Sequence, residues 1–288
     1  MTARAEILAV TRAEKGWVKK RLSSRAARLG IVLAVVFAAI LIAPPFLQET
    51  LAQNISNRLQ PPSGAHWFGT DNFGRDVFAR VVQGARVSLT VGATASLFAL
   101  IAGGLYGAAA AMLGPRVDRI LMRLLEVVLA FPGAMLAIVL AIALGPGFTT
   151  VVTAIAIVFA APIARLVRGL VLEELKQDYV TAAALIGSSR ARILFRHITL
   201  NVAGPVLVYM MIVAGESILV EAGLSFLGAG LVPPTPSLGA MITEGQSFLI
   251  GGKWWLSVFA GVTVAAIVLS LNTVADVVTR EMREGAGR

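Results

Sequence analysis

The sequence predicts an all-α integral membrane protein with six transmembrane helices. Three observations carry that prediction. Hydrophobic residues make up 57% of the 288 positions and charged ones 14%, against about 45–50% and about 25% in a soluble domain. The charges sit in gaps between long apolar runs, several of which match the roughly 20 residues needed to cross a bilayer core. Lys and Arg are then divided unevenly among the gaps. A net charge of +9 and a pI near 10.8 would suggest nucleic acid binding in a soluble chain. Flanking apolar runs, the same charges predict a lipid bilayer as partner and no nucleic acid.

The crossings follow from the uncharged stretches in chain order. Leu29–Gln48 is 20 residues long and Val87–Pro115 is 29. Val127–Ala164 has 38, too many for one crossing, and Gly145-Pro146-Gly147 near its middle ends one helix and starts another. Ile198–Gly215 has 18 before Glu216, and Trp254–Ala275 has 22. Ala222–Thr243 is also uncharged, but its four Gly and three Pro do not suit a lipid-exposed helix. That stretch is read as a short helix and a loop at the membrane face. A basic leader before an apolar run also describes a secretory signal, but the run here is of spanning length. Ala43-Pro44-Pro45 moreover offers no small-residue cleavage site, so the first helix is expected to be retained.

With the N-terminus inside, segments 1–28, 114–123, 165–201 and 280–288 hold twenty of the 25 Lys and Arg. The positive-inside rule then places both termini in the cytoplasm of a multi-pass protein of the cytoplasmic membrane. Three divisions are expected: 1–60 (leader, first span and start of the outer segment), 61–86 (outer segment) and 87–288 (a core with five spans). Zero Cys excludes disulfides and thiolate metal sites, and two distant His leave no metal centre in view. No Walker A motif is present, because Gly251-Gly252-Lys253 lacks its glycine spacing and its Ser/Thr. The chain is therefore expected to be non-catalytic and to hold no cofactor of its own.

The inner stretch Arg165–Asn201 is far longer than a connector requires. Glu173–Ile186 reads as a helix with acidic residues early, and with Tyr179, Ala182, Ala183 and Ile186 on one face. Gly187 supplies a left-handed stop and the following serines a cap for a second, basic helix through Arg190, Arg192 and Arg196. Arginines of this kind also suit an amphipathic helix on anionic lipid. The small Ala182, Ala183 and Ala184 suit close approach by another protein better.

Tyr179 to Gly187, followed by Arg196-His197-Ile198 and Asn201, resembles the "EAA" loop of ABC importer permeases. His66-Trp67-Phe68-Gly69-Thr70-Asp71, Gly74-Arg75-Asp76 and Gly84 to Leu89 resemble the outer signature of the peptide/nickel branch, as do Glu221 to Gly228 and Pro233 to Gly239. The leader and Pro61-Pro62 are more similar to the DppC/OppC-type subunit than to its B-type partner. Thr181 departs from the Glu usual in the family, and Thr199-Leu200 from the usual Leu-Pro.

The resemblance implies a type I ABC importer permease fold with a cytoplasmic coupling (EAA) helix. It implies four kinds of partner: a second, DppB/OppB-like permease, two ATPase subunits or domains that bind ATP and Mg, an extracytoplasmic substrate-binding protein, and lipid. The coupling loop would use Tyr179, Ala182, Ala183, Ala184, Gly187 and Arg190. The outer signature would use Asp71, Gly74, Arg75 and Asp76; Asp71, Arg75 and Asp76 are expected to pair into a local salt-bridged turn that packs on the sister permease, with contact to the substrate-binding protein as the alternative. Glu216 and Glu221 are candidates for the translocation path, although Glu216 is expected rather to pair with an Arg or amide of the sister permease, and Glu221 suits an interface or a gate. Di- or oligopeptide is the expected cargo, with nickel or another small solute as the alternative. A stand-alone ion-coupled transporter is the rival from another class, and it would need more buried ionisable groups than Glu216 alone.

Three further readings are structural. Arg123 and Glu126 stand three apart and are expected to pair. Gly103 and Gly107 form a G-x-x-x-G that would allow close helix packing. Trp254-Trp255 with Lys253 reads as an interfacial anchor.

Overall fold

The computed structural model describes residues 35–40, 42, 53–232 and 235–286. Asp76 starts the first long helix: its carboxylate accepts the backbone N–H of Ala79 at 3.0 Å, one of the donors a first turn leaves unpaired. Helix α1 runs Val77–Met112, so the boundary expected at 86/87 lies inside it and Arg80 and Arg86 are helical. A charge ends an apolar run, but it does not end a hydrogen-bonded helix.

The third crossing differs from expectation. Helices α2 (Pro115–Leu129) and α3 (Gly133–Leu144) meet at 84° around Ala130-Phe131-Pro132. α2 is strongly amphipathic, and counting uncharged residues could not see it as part of a span. Arg123 and Glu126 form no ion pair among the described residues; Asp118 of α2 pairs with Arg168 instead. Gly145 and Gly147, both at positive φ, make the expected reversal into α4 (Phe148–Glu174).

Past α4 the chain forms α5 (Asp178–Leu185), α6 (Arg190–Ile193), a π-turn (Leu194–Ile198) and α7 (Thr199–Phe226). Two expectations change here. The helix expected from Glu173 begins at Asp178, because Glu173 and Glu174 finish α4. The basic helix is the first turn of the next crossing, and α7 passes through Glu216 to Phe226. The loop after α7 and α8 (Leu238–Leu249) give the expected short helix and loop, with Pro233 and Pro234 outside the described residues. α9 runs Trp255–Ala286.

Among the described residues four helices are long and apolar enough to span, or five with α2–α3 as one. The first expected span lies mostly outside the described residues, although residues 35–40 are helical. No strand occurs among the described residues, only an isolated bridge between Thr70 and Asp76. The all-helical membrane class stands, and six crossings are consistent with this count.

α1 and α4 run parallel and pack most closely. A Cβ on Gly103 would collide with the carbonyl of Ala160, and one on Gly107 with that of Ala164. The G-x-x-x-G therefore joins two helices of this chain. α7 crosses the outer half of α1, where Gly92 faces Ala214 and Ile218, and α9 packs on α7 and α8. Leu97, Phe98, Leu105, Ile120, Val139 and Ile142 leave an apolar outer surface on α1 to α3.

Candidate functional site

α5 ends in a turn that its sequence explains. Gly187 has φ +83°, its N–H donates to Ala184 at 3.0 Å, and the N–H of Ser188 donates to Ala183 at 3.0 Å. This is the paired closure that a glycine just past a helix allows. Ser189 then caps α6, accepting the N–H of Arg192 at 3.3 Å. The face expected from spacing is only partly right: Val180 and Ala183 point inward, whereas Ile186 is 84% exposed. Leu185 is equally exposed, and Ala182 and Ala184 lie open beside it. An eight-residue helix packed through two small residues thus presents an apolar tip.

The base of this tip is clamped. Tyr179 donates its hydroxyl to Glu174, and Asn201 Nδ2 donates to Glu174 Oε2 at 3.2 Å and to the Tyr179 oxygen at 2.9 Å. The end of α4, the start of α5 and the start of α7 are therefore tied together by side-chain hydrogen bonds. Arg190 Nη1 donates to the carbonyl of Met112 at 3.3 Å, one of the acceptors left open at the end of α1. Thr181 is exposed and makes no side-chain hydrogen bond. Glu174 was legible only as an acidic residue near a helix start, because its two partners lie 5 and 27 positions away.

At the opposite end, Asp71 is the hub of the 54–76 segment. Its Oδ1 accepts the N–H of Phe73 at 2.8 Å and of Arg75 at 2.9 Å. Its Oδ2 accepts Arg75 Nε and Arg80 Nη1, both at 2.7 Å. Gly74, at φ +73°, passes so close to the Asn54 carbonyl that no side chain fits. Besides capping α1, Asp76 meets His66 Nδ1 at 2.8 Å. The expected turn of Asp71, Gly74, Arg75 and Asp76 is therefore assembled; it draws in His66 of the same signature, and it recruits Arg80 and Glu244, which were not expected there. Trp255 belongs to this core: it is 4% exposed and donates to the Thr70 carbonyl at 3.3 Å. It locks the segment onto α9, and only Trp254 has the exposure of an interfacial anchor.

The two candidate path glutamates lie in unlike surroundings. Glu221 is fully buried and accepts three hydroxyls, Ser88 at 2.6 Å, Ser225 at 2.9 Å and Ser237 at 3.1 Å. It ties α7 to α1 and to the loop before α8. Glu216 is exposed on the free face of α7, five residues toward the clamped end.

Helices long and apolar enough to cross a membrane, with a clamped apolar tip at one end and a cross-braced segment at the other, make up the architecture of a multi-pass membrane protein. The family described as binding-protein-dependent transport system inner membrane component matches residues 95–284, and the chain belongs to it. Among its relatives, the dipeptide transport system permease protein DppC of Alkalihalophilus pseudofirmus is 38% identical over 90% of this chain and 85% of its own length. The oligopeptide permease protein OppC of Bacillus subtilis is 35% identical over 88% and 84%. The glutathione permease protein GsiD of Pectobacterium atrosepticum is 38% identical over 85% and 83%. The resemblance to DppC/OppC-type subunits is thereby borne out.

Proposed function

We propose that this chain is the transmembrane permease subunit of an ATP-driven importer of di- or oligopeptides. The exposed apolar tip at Leu185 and Ile186 carries the reading, because two large side chains left in water are a docking surface for another protein. In this reading the tip seats on an ATPase partner that holds ATP and Mg. The clamp of Glu174, Tyr179 and Asn201 passes the ATPase's movement into α4 and α7 as a rigid-body rotation. The Lys and Arg distribution supports placing α5 and both termini in the cytoplasm. The apolar flank of α1 to α3 suits lipid and a second, DppB/OppB-like permease, and the braced 54–76 segment suits an extracytoplasmic substrate-binding protein. Peptide cargo is supported by the names of the DppC and OppC relatives.

The test is to tag the chain in its own membrane, extract it gently and identify the proteins that co-purify. The wild type is compared with a variant carrying Leu185→Asp and Ile186→Asp. An ATPase and a second permease should accompany the wild type, and the variant should lose the ATPase alone. A chain that emerges without partners in both cases overturns the reading.

A further inference from the structure

The coupling end and the outer end of α1 are separated by about one bilayer. From Thr90 to Met112 the helix rises about 33 Å, and the bilayer core is about 30 Å thick. A cavity of about 610 Å³ opens at the Thr90 end, between α1, the start of α4 and the loop before α8. Its volume falls in the range of roughly 300–1,000 Å³ typical of small-molecule sites. Gln83, Arg86 and Thr90 line it at helical spacing on α1, with Phe148 from α4 and Thr235 from the loop opposite.

Arg86 is the only ionisable residue among those lining the cavity. Arg86 is exposed and, among the described residues, no carboxylate pairs with its guanidinium, whereas its neighbours Arg75 and Arg80 are both paired. An unpaired guanidinium carries five donors in a fork that matches a carboxylate. Gln83 and Thr90 lie about one turn to either side and add neutral hydrogen-bonding groups, while Phe148 and Leu231 supply apolar wall.

We propose that this cavity is a carboxylate-binding site at the outer mouth of the permease, in which Arg86 receives the terminal carboxylate of the solute being transported. The inference rests on the importer reading for the identity of that solute. A concave cavity of this volume suits the end of a small solute better than the surface of a docked protein. The site makes the mouth selective for solutes that carry a free carboxylate.

The chain contains no cysteine, so a single introduced thiol reports one position. Thr235→Cys places it on the cavity wall and leaves Arg86 in place. In right-side-out vesicles from its own cells, without ATP, its labelling by a small neutral maleimide is followed on this chain's band. Tri-alanine and N-acetyl-tri-alanine should slow labelling, and tri-alaninamide should not. Adding Arg86→Gln should weaken that protection about tenfold or more, the scale of one charge-assisted hydrogen bond, and Arg86→Lys should restore part of it.

Protection by the amide, protection that survives Arg86→Gln, or no protection overturns the proposal. Shielding that exists without added peptide and is lifted by Arg86→Gln also overturns it, since the occupant is then an acidic residue of another protein. These readouts need no ATPase, so failure of the co-purification test remains a separate result.

Discussion

Arg80 on α1 donates to Glu244 on α8 at 2.9 Å, although the two stand 164 positions apart. The same nitrogen also meets Asp71 at 2.7 Å, so one buried guanidinium joins the outer segment to two helices.

Arg80→Met should therefore lower stability by about 3 kcal/mol or more, because it strands the buried Asp71 carboxylate with Arg75 alone. Thermal unfolding in detergent reads this, with Arg75→Met as comparison. Arg75 is more exposed than Arg80, so its loss should cost less. Equal losses would remove Arg80 from its central place in the segment.

Gly107→Val should destabilise the α1–α4 contact by about 1–3 kcal/mol, because the Ala164 carbonyl occupies the space of the new side chain. Gly104 has nothing within 4 Å, so Gly104→Val should be nearly silent in the same assay. If the two variants unfolded alike, close packing at Gly107 would not be what holds these helices.

Glu221→Ala removes the shared acceptor of three buried hydroxyls. The expected cost is about 2 kcal/mol or more, since each freed hydroxyl must find a partner in a dry site. Protease accessibility of the loop between α7 and α8 should rise with it, because Ser237 then loses its anchor. An unchanged digestion pattern would show that the loop is held by other contacts.

Asp118 and Arg168 tie α2 to α4, with Asp118 Oδ2 2.6 Å from Arg168 Nη2. A double-mutant cycle with Asp118→Asn and Arg168→Gln should give a coupling of about 1 kcal/mol, because both side chains keep some solvent contact. A coupling near zero would mean that the two charges act independently.

Composition, charge placement and short local motifs determined the membrane class, the reversal at Gly145 and Gly147, the stop at Gly187 and the turn around Asp71 and Arg75. Each of these depends on residues close in sequence: an apolar run, a glycine at positive φ, or a carboxylate beside the N–H groups it accepts. What tertiary structure decided lies between residues far apart. Only the three-dimensional structure shows the 84° bend between α2 and α3, since a count of uncharged residues stops at the charges of α2. Only packing shows that Trp255 is core, that Gly103 and Gly107 meet α4, and that Ile186 faces water. Glu174 with Asn201, Arg80 with Glu244 and Glu221 with Ser88 are likewise brought together by the fold. Their physical reason is shared: a polar group buried among apolar helices must find its partner on whichever element packs against it, and the local sequence does not say which element that is.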